Sequence, residues 1–254
     1  MTIAITRAVS PSFAQCELTH IERVPIDLEV AKFQHEAYEQ ALIRLGVSVV
    51  ALPAEADLPD AVFVEDTAVV LDELAIMMRP GAASRRPEVA GIARALERYR
   101  PLAWITEPGT IDGGDVLRIG KTIYVGLSTR SDAAGIEGLR AIVAPLGYSV
   151  VGVPLTGCLH LKTAATAIAD DVLLVNTQWL NPDVFVGLQF AHVHPDEPFA
   201  ANTLRVKDAL VYPKAFPRTL ERIAKFVSRI ELVDMSELAK AEGAVTCCSL
   251  ILDG

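Results

Sequence analysis

No apolar run in this chain approaches the roughly 18 residues that a membrane-spanning helix requires, so no membrane partner is expected. The first residues, MTIAITR, lack the basic segment and long apolar stretch of a signal peptide, and none is expected. Cysteine is sparse. There are four in 254 residues, and two of them, Cys247 and Cys248, are adjacent and ill placed to bridge to each other. That is no disulfide framework, and it implies reduced thiols in the cytoplasm. Positive charge is short as well: 23 Lys and Arg stand against 32 Asp and Glu, a formal net charge of -9, and no basic stripe is visible. Both points argue against a nucleic-acid partner. No linker, low-complexity run or shift of composition divides the sequence. The chain is 51% hydrophobic and 22% charged, which excludes disorder. It is long enough to fold without staples, and residues 1–254 read as one domain.

The usual catalytic signatures are missing too. There is no P-loop, no G-x-G-x-x-G after a strand, no H-E-x-x-H, no C-x-x-C and no G-x-S-x-G elbow. That removes most nucleotide, zinc-protease and serine-esterase readings. Gly113-Gly114-Asp115 is glycine-rich, but a strand follows it, so no helix N-terminus is offered to a phosphate.

What is present is a repeat. A polar residue leads into an apolar run, a two-residue polar turn, a second apolar run and a loop into a helix. It occurs as Asp66-TAVVL-DE-LAIMM with a helix near 87–99, and as Asp115-VLRI-GK-TIYVG with a helix near 132–145. It returns as Thr163-AATAIA-DD-VLLVN with little helix, and as Asn202-TLRV-KD-ALVYP with a helix near 217–229. The terminal CSLILDG looks like the first strand of a fifth copy, completed by the N-terminal strand and a helix near 27–45. That helix sets Val30, Ala37, Ala41 and Leu45 on one face, with Gly46 as its stop. Turn pairs between β-branched runs are a hairpin signal. Strands alternating with helices give an α/β class. A copy split between the two ends predicts a five-fold pseudosymmetric ring, an α/β propeller of ββαβ-like units. Its loops would surround a central axis. The segment starting at His192 (HVHPDEPF) reads as a loop.

Polar residues gather where each repeat begins: Glu65 and Asp66, Asp112 and Asp115, His160 and Lys162, Cys247 and Cys248. Taken singly each has a bland reading. Cys247 reads as a small buried hydrophobe, His160 as a satisfied core histidine, Asp66 and Asp112 as turn or cap residues, and Arg85 as part of a solvated face. His192 and His194 are spaced like metal ligands on a strand but lack a third. The repeat raises the first group together, because a ring brings equivalent positions to one centre. A thiol, a histidine and two carboxylates form a nucleophilic constellation. Carboxylates alone would raise the thiol's pKa. The set makes sense if the substrate is a cation, such as a guanidinium held by in-plane hydrogen bonds. Arg85 and Arg130 open loops after the first two hairpins and suit a carboxylate at the substrate's other end. A guanidinium plus a carboxylate describes an arginine-like amino acid.

Leu58-PDAVFVED, Arg79-PGAASRRPEV, Thr110-IDGGDVL, Val125-GLSTR, Leu159-HLKT, Ala200-AN and Thr246-CCS together resemble one family. It is the dimethylarginine dimethylaminohydrolases (dimethylargininases) of the guanidino-group-modifying pentein superfamily. The segments run in family order over nearly the whole chain. The resemblance implies a five-fold α/β propeller and hydrolysis of Nω-methylated arginine to citrulline and methylamine or dimethylamine. It implies Cys247 as nucleophile and His160 as general acid and base. Asp66 and Asp112 would hold the guanidinium. The backbone of Leu18, with Asp60, Glu65 and the carbonyl of Ala241, would meet the α-amino end, and Arg85 and Arg130 the α-carboxylate. No metal or other cofactor is implied. Some bacterial members carry Glu where this chain has Asp112, which bears on substrate preference. Arginine deiminase or another guanidino hydrolase or transferase is the neighbouring reading, and a ribosome-binding pentein a distant one. A homodimer is expected on general grounds.

Overall fold

The polar pairs between apolar runs do turn hairpins, and each hairpin gains a third strand. The structure, a computed structural model, describes residues 1–253. The chain begins with β1 (Ile3–Arg7), α1 (Leu28–Arg44) and β2 (Ser48–Leu52). Then come β3 (Ala68–Val70), β4 (Ala75–Met77), α2 (Glu88–Leu96) and β5 (Leu102–Trp104). The next unit has β6 (Val116–Ile119), β7 (Thr122–Leu127), α3 (Ala133–Val143) and β8 (Ser149–Pro154). It is followed by α4 (Leu161–Ala164), β9 (Ala165–Ala167), β10 (Val172–Val175) and β11 (Gln189–His192). Last come β12 (Leu204–Val206), β13 (Ala209–Pro213), α5 (Pro217–Ile223), β14 (Arg229–Val233), α6 (Ser236–Ala239) and β15 (Leu250–Leu252).

These strands form five three-stranded sheets, ordered β15-β1-β2, β3-β4-β5, β6-β7-β8, β9-β10-β11 and β12-β13-β14. In each, the middle strand is antiparallel to its hairpin partner and parallel to the strand that returns afterwards. The split copy is real: Ile3 faces Leu252 and Ile5 faces Leu250, so the two ends of the chain share a sheet. This is the α/β propeller that the repeats predict.

Local signals account for the element ends. The Asp27 carboxylate caps α1 by accepting from the N–H of Glu29 and Val30, both at 3.1 Å. Gly46, at φ +78, ends it. The buried face of α1 keeps the expected Ala41 and Leu45 but is rotated away from Val30. Tyr38 and Leu42 are fully buried with Ala31 and Ala41, while Val30 is exposed. Tyr38 can turn inward because its hydroxyl pairs with Ser249 Oγ at 2.7 Å. α5 stops at Ile223, short of position 229, because the chain must turn to start β14 opposite Ala209. Between β10 and β11, where little helix is expected, there is one short 3₁₀ turn, Pro182–Val184. His192 closes β11 rather than opening a loop.

Hydrophobic packing ties each unit to the next. α2 buries Val89, Ile92 and Leu96 against Ala75 and Met77 of β4 and against Ile5 and Leu250 of the neighbouring sheet. Burying one such aliphatic side chain stabilises by about 1.5–3 kcal/mol.

Candidate active site

Just before the first strand of each sheet the chain makes a tight turn: at 64–67, 113–115, 161–164, 198–201 and 245–248. These turns carry the polar residues singled out above. Glu65, Lys162, Asn202 and Thr246, in or beside four of these turns, close a ring of hydrogen bonds. Lys162 Nζ meets Glu65 Oε1 at 2.6 Å and donates to the Gly113 carbonyl at 3.1 Å. Asn202 Nδ2 donates to the Lys162 carbonyl and to Thr246 Oγ1, at 3.1 and 3.0 Å. Thr246 Oγ1 donates to Glu65 Oε2 at 2.7 Å. With Gly113, every unit contributes to this floor. A Cβ on Gly113 would lie 1.9 Å from the Glu65 carbonyl oxygen, so only glycine lets the turns approach this closely.

Above the floor lies a cavity of about 220 Å³ lined by His160, Cys247, Glu65, Gly114 and an apolar wall that includes Phe199 and Phe216. His160 and Cys247 are both buried. His160 Nε2 pairs with Asp112 Oδ2 at 3.1 Å, and its Nδ1 lies 3.8 Å from Asp66 Oδ1. Asp66 also accepts from the Gly114 N–H at 3.0 Å. A Cβ on Gly114 would come within 2.6 Å of His160 Nδ1 and 2.7 Å of Asp66 Oδ1. Gly114 thus serves close packing of two charged side chains, and Gly113 close approach of two backbones. Asp115 holds the turn from behind. It accepts from the Ser128 and Ser131 hydroxyls, each at 2.6 Å, and from the Leu161 N–H at 2.9 Å.

Electrostatics divide the protons unevenly. Burial would lower the His160 pKa, but Asp66, Asp112 and Asp115 outweigh it and raise it to about 9. His160 is therefore an imidazolium at neutral pH. Burial would raise Asp66, yet His160 and Arg85 hold it at about 2. Burial pushes the Cys247 thiol upward, and Glu65 and Asp66 push the same way. In the free enzyme the cavity thus holds a protonated thiol and a protonated imidazole in its wall. Donor atoms of Asp66, Asp112 and His160 lie within 4.8 Å of one another. As charged, they hold an imidazolium; a metal could bind there only after His160 loses its proton.

The remaining expected residues lie around this centre. Arg85 is buried. It meets Asp66 Oδ2 at 2.5 Å and Glu88 at 2.8 and 3.1 Å, and donates to the carbonyls of Asp60 and Phe63. A guanidinium has five N–H groups. Four are occupied here, so Arg85 braces Asp66 and keeps at most one hydrogen for a substrate. Arg130 is also buried, and its Nη2 donates to Thr19 Oγ1 at 3.0 Å. Asp60 Oδ2 accepts the Glu17 N–H at 3.0 Å. Thr19 and Glu17 flank half-buried Leu18 in an irregular segment, 17–26, that straps across the site and places His20 and Ile21 in the cavity wall. Ala241 is buried beside Glu242, which holds the same strap. Exposed His192 does not line the cavity, and neither does His194, which sits 3.8 Å from Asp196.

Sequence reasoning missed Glu88, Ser128, Ser131 and Glu242. Glu88 acts through Arg85 and Ser128 through Asp115, while Ser131 holds Asp115 and also accepts the Asp112 N–H at 3.0 Å. Asp115 itself was visible as a repeat start without a role.

Five sheets of this pattern, with a thiol, an imidazole and carboxylates at one end of the shared axis, define a pentein of the guanidino-modifying kind. A family model described as N,N dimethylarginine dimethylhydrolase, eukaryotic, matches residues 22–184. An N(G),N(G)-dimethylarginine dimethylaminohydrolase of Streptomyces coelicolor is 42% identical over 98% of this chain and 96% of its own. The enzyme of that name from Pseudomonas aeruginosa is 36% identical over 88% of this chain and 89% of its own. A solved structure of a Pseudomonas aeruginosa enzyme of this kind, a cysteine-to-serine mutant complexed with citrulline, superposes with a TM-score of 0.93 at 34% identity, covering 98% of each chain. The N-terminal domain of a cyanobacterial arginine dihydrolase shares the fold, with a TM-score of 0.84 at 18% identity. The chain belongs to the dimethylarginine dimethylaminohydrolase family.

Proposed function

We propose that this protein hydrolyses Nω-methylated L-arginine to L-citrulline and dimethylamine or methylamine, with residues 1–254 as one catalytic unit. The observation that carries the reading is that His160, paired with Asp112, lines the same cavity as Cys247. The cationic substrate enters among Asp66, Asp112 and Glu65, and its charge favours ionisation of the Cys247 thiol, whose proton departs to solvent. The thiolate attacks the guanidinium carbon. His160 gives its proton to the departing amine, leaving an S-alkylthiouronium on Cys247. A water then loses a proton to His160 and attacks the same carbon. Collapse expels the thiolate, the hydroxyl proton passes to solvent, and citrulline is released. Splitting the reaction in two and placing a charged acid at the leaving group supply the acceleration. Arg130 takes the α-carboxylate and Asp60 the α-ammonium, with Leu18 and the Ala241 carbonyl beside them; Arg85 contributes mainly through Asp66.

The test is citrulline formation from asymmetric dimethylarginine, with free arginine in parallel and Cys247→Ser as control. Citrulline from the methylated substrate, lost in the variant, supports the proposal. Citrulline mainly from arginine would replace it with a deiminase. Among the described residues no helix is long and apolar enough to cross a membrane, and the four cysteines are unpaired. We place the protein in the cytoplasm as a homodimer, which light scattering would test.

A further inference from the structure

The turn after α6 breaks a local rule. The Gly243 N–H donates to the Leu238 carbonyl at 3.0 Å and the Glu242 N–H to that of Ala239 at 3.1 Å, the paired bonds of a Schellman cap. The left-handed position of such a cap ordinarily belongs to glycine. This chain places Glu242 there, at φ +57, and puts glycine one residue later. Gly243 is needed where it stands, since a Cβ would lie 2.2 Å from the Phe63 ring.

The Glu242 side chain accounts for the exception. Oε2 accepts the Thr19 N–H at 2.6 Å and Oε1 the His20 N–H at 2.9 Å. Both oxygens of one carboxylate are spent on successive amides of the strap, 223 and 222 residues away in sequence. These bonds are charge-assisted. Ser84 Oγ also donates to Glu17 Oε1 at 2.6 Å and Lys240 Nζ to the Pro25 carbonyl at 3.0 Å, and two further holds lie at the site itself. Glu17 N–H sits on Asp60, and the Thr19 hydroxyl on Arg130. Those are the groups assigned above to the substrate's ammonium and carboxylate, so an arriving substrate must displace the strap from both. Glu242 also lines the cavity, but no part of the substrate is assigned to it.

We infer that Glu242 is a positioning residue that latches the strap over the occupied site, while substrate and strap exchange at Asp60 and Arg130. The exchange rests on the proposed function; the latch does not. Residue-resolved amide hydrogen exchange on the full chain without ligand tests the latch in Glu242→Gln and Glu242→Gly. Thr19 and His20 are expected to exchange about tenfold faster in both, the loss of one charge-assisted bond being a factor of this order. Amides of β1 and β15 should not change. Glu242→Gly should melt no lower than the parent, because glycine relieves the left-handed strain. A merely structural residue would show the opposite pairing. With asymmetric dimethylarginine, KM should rise about tenfold and kcat change less than about threefold, as expected when a closed form is made rarer without altering the chemistry. Unchanged exchange at Thr19 and His20 overturns the latch, and an unchanged KM overturns its positioning role. Faster exchange in a protein that turns over no methylated arginine supports the latch and overturns the proposed function.

Discussion

The protonation of the resting centre leads to a quantitative expectation. Burial and the carboxylates of Glu65 and Asp66 hold the Cys247 thiol above its ordinary range, and His160 is already a cation up to about pH 9. The free enzyme should therefore contain little thiolate at neutral pH. A guanidinium in contact with the sulfur, about 4 Å away, would favour the thiolate by about 4 kcal/mol at an effective dielectric of 20, or about three pKa units. The perturbation is addition of methylguanidine, a small cation without an amino-acid end. The assay is thiolate absorbance near 240 nm, titrated against pH, with Cys247→Ser subtracted. The titration of Cys247 should move down by about three units when the cation is bound. It should lie above pH 9 without it. A thiol already ionised at pH 7 in the free enzyme, or a titration indifferent to the cation, would refute the reasoning.

Two further outcomes follow from buried groups. His35 is buried with Nε2 unpaired, and burial lowers its pKa from 6.5 to about 4. The unfolded chain takes up the proton first, so stability should fall as pH drops from 6.5 to 4, by about 3 kcal/mol. Urea unfolding of His35→Leu should lack that part of the pH slope; equal slopes would rule the account out. Lys162→Met strands the buried Glu65 carboxylate and should cost about 3–5 kcal/mol. Glu65→Gln added to it should restore much of the loss, and a cost below about 1 kcal/mol for the single variant would count against a structural ion pair at the axis.

Much of this architecture is legible because hairpins declare themselves locally. Asp72-Glu73, Gly120-Lys121 and Lys207-Asp208 each separate two apolar runs, and each proved to be a turn. Returning strands are less legible. β5 is three residues long, too short for its pattern to stand out. The face expected for α1 is right at Ala41 and Leu45 but not at Val30, and it leaves out Tyr38, which is buried against Ser249. At the site, residue types at equivalent repeat positions exposed Cys247, His160, Asp66 and Asp112. Partner choice did not show. That Arg85 would be absorbed by Glu88 and Asp66 depends on how α2 approaches the preceding turn. Glu242 meets the strap across more than 220 residues, and only the misplaced glycine at 243 hints at it.

The pairing of β15 with β1 has a consequence for how the chain is made. Synthesis produces β1 first, with one edge paired to β2 and the other bare until residues 250–252 emerge. Through that interval four finished units flank an unprotected apolar strand, the kind of edge that recruits strands from elsewhere. A strand whose register matches that edge is β15 of a second copy of the chain. Such a swap would carry the second copy's Cys247 to this chain's His160, because only one residue separates Cys248 from the strand that moves. The exchanged pair would be catalytically complete yet physically joined, so activity alone would not reveal the error.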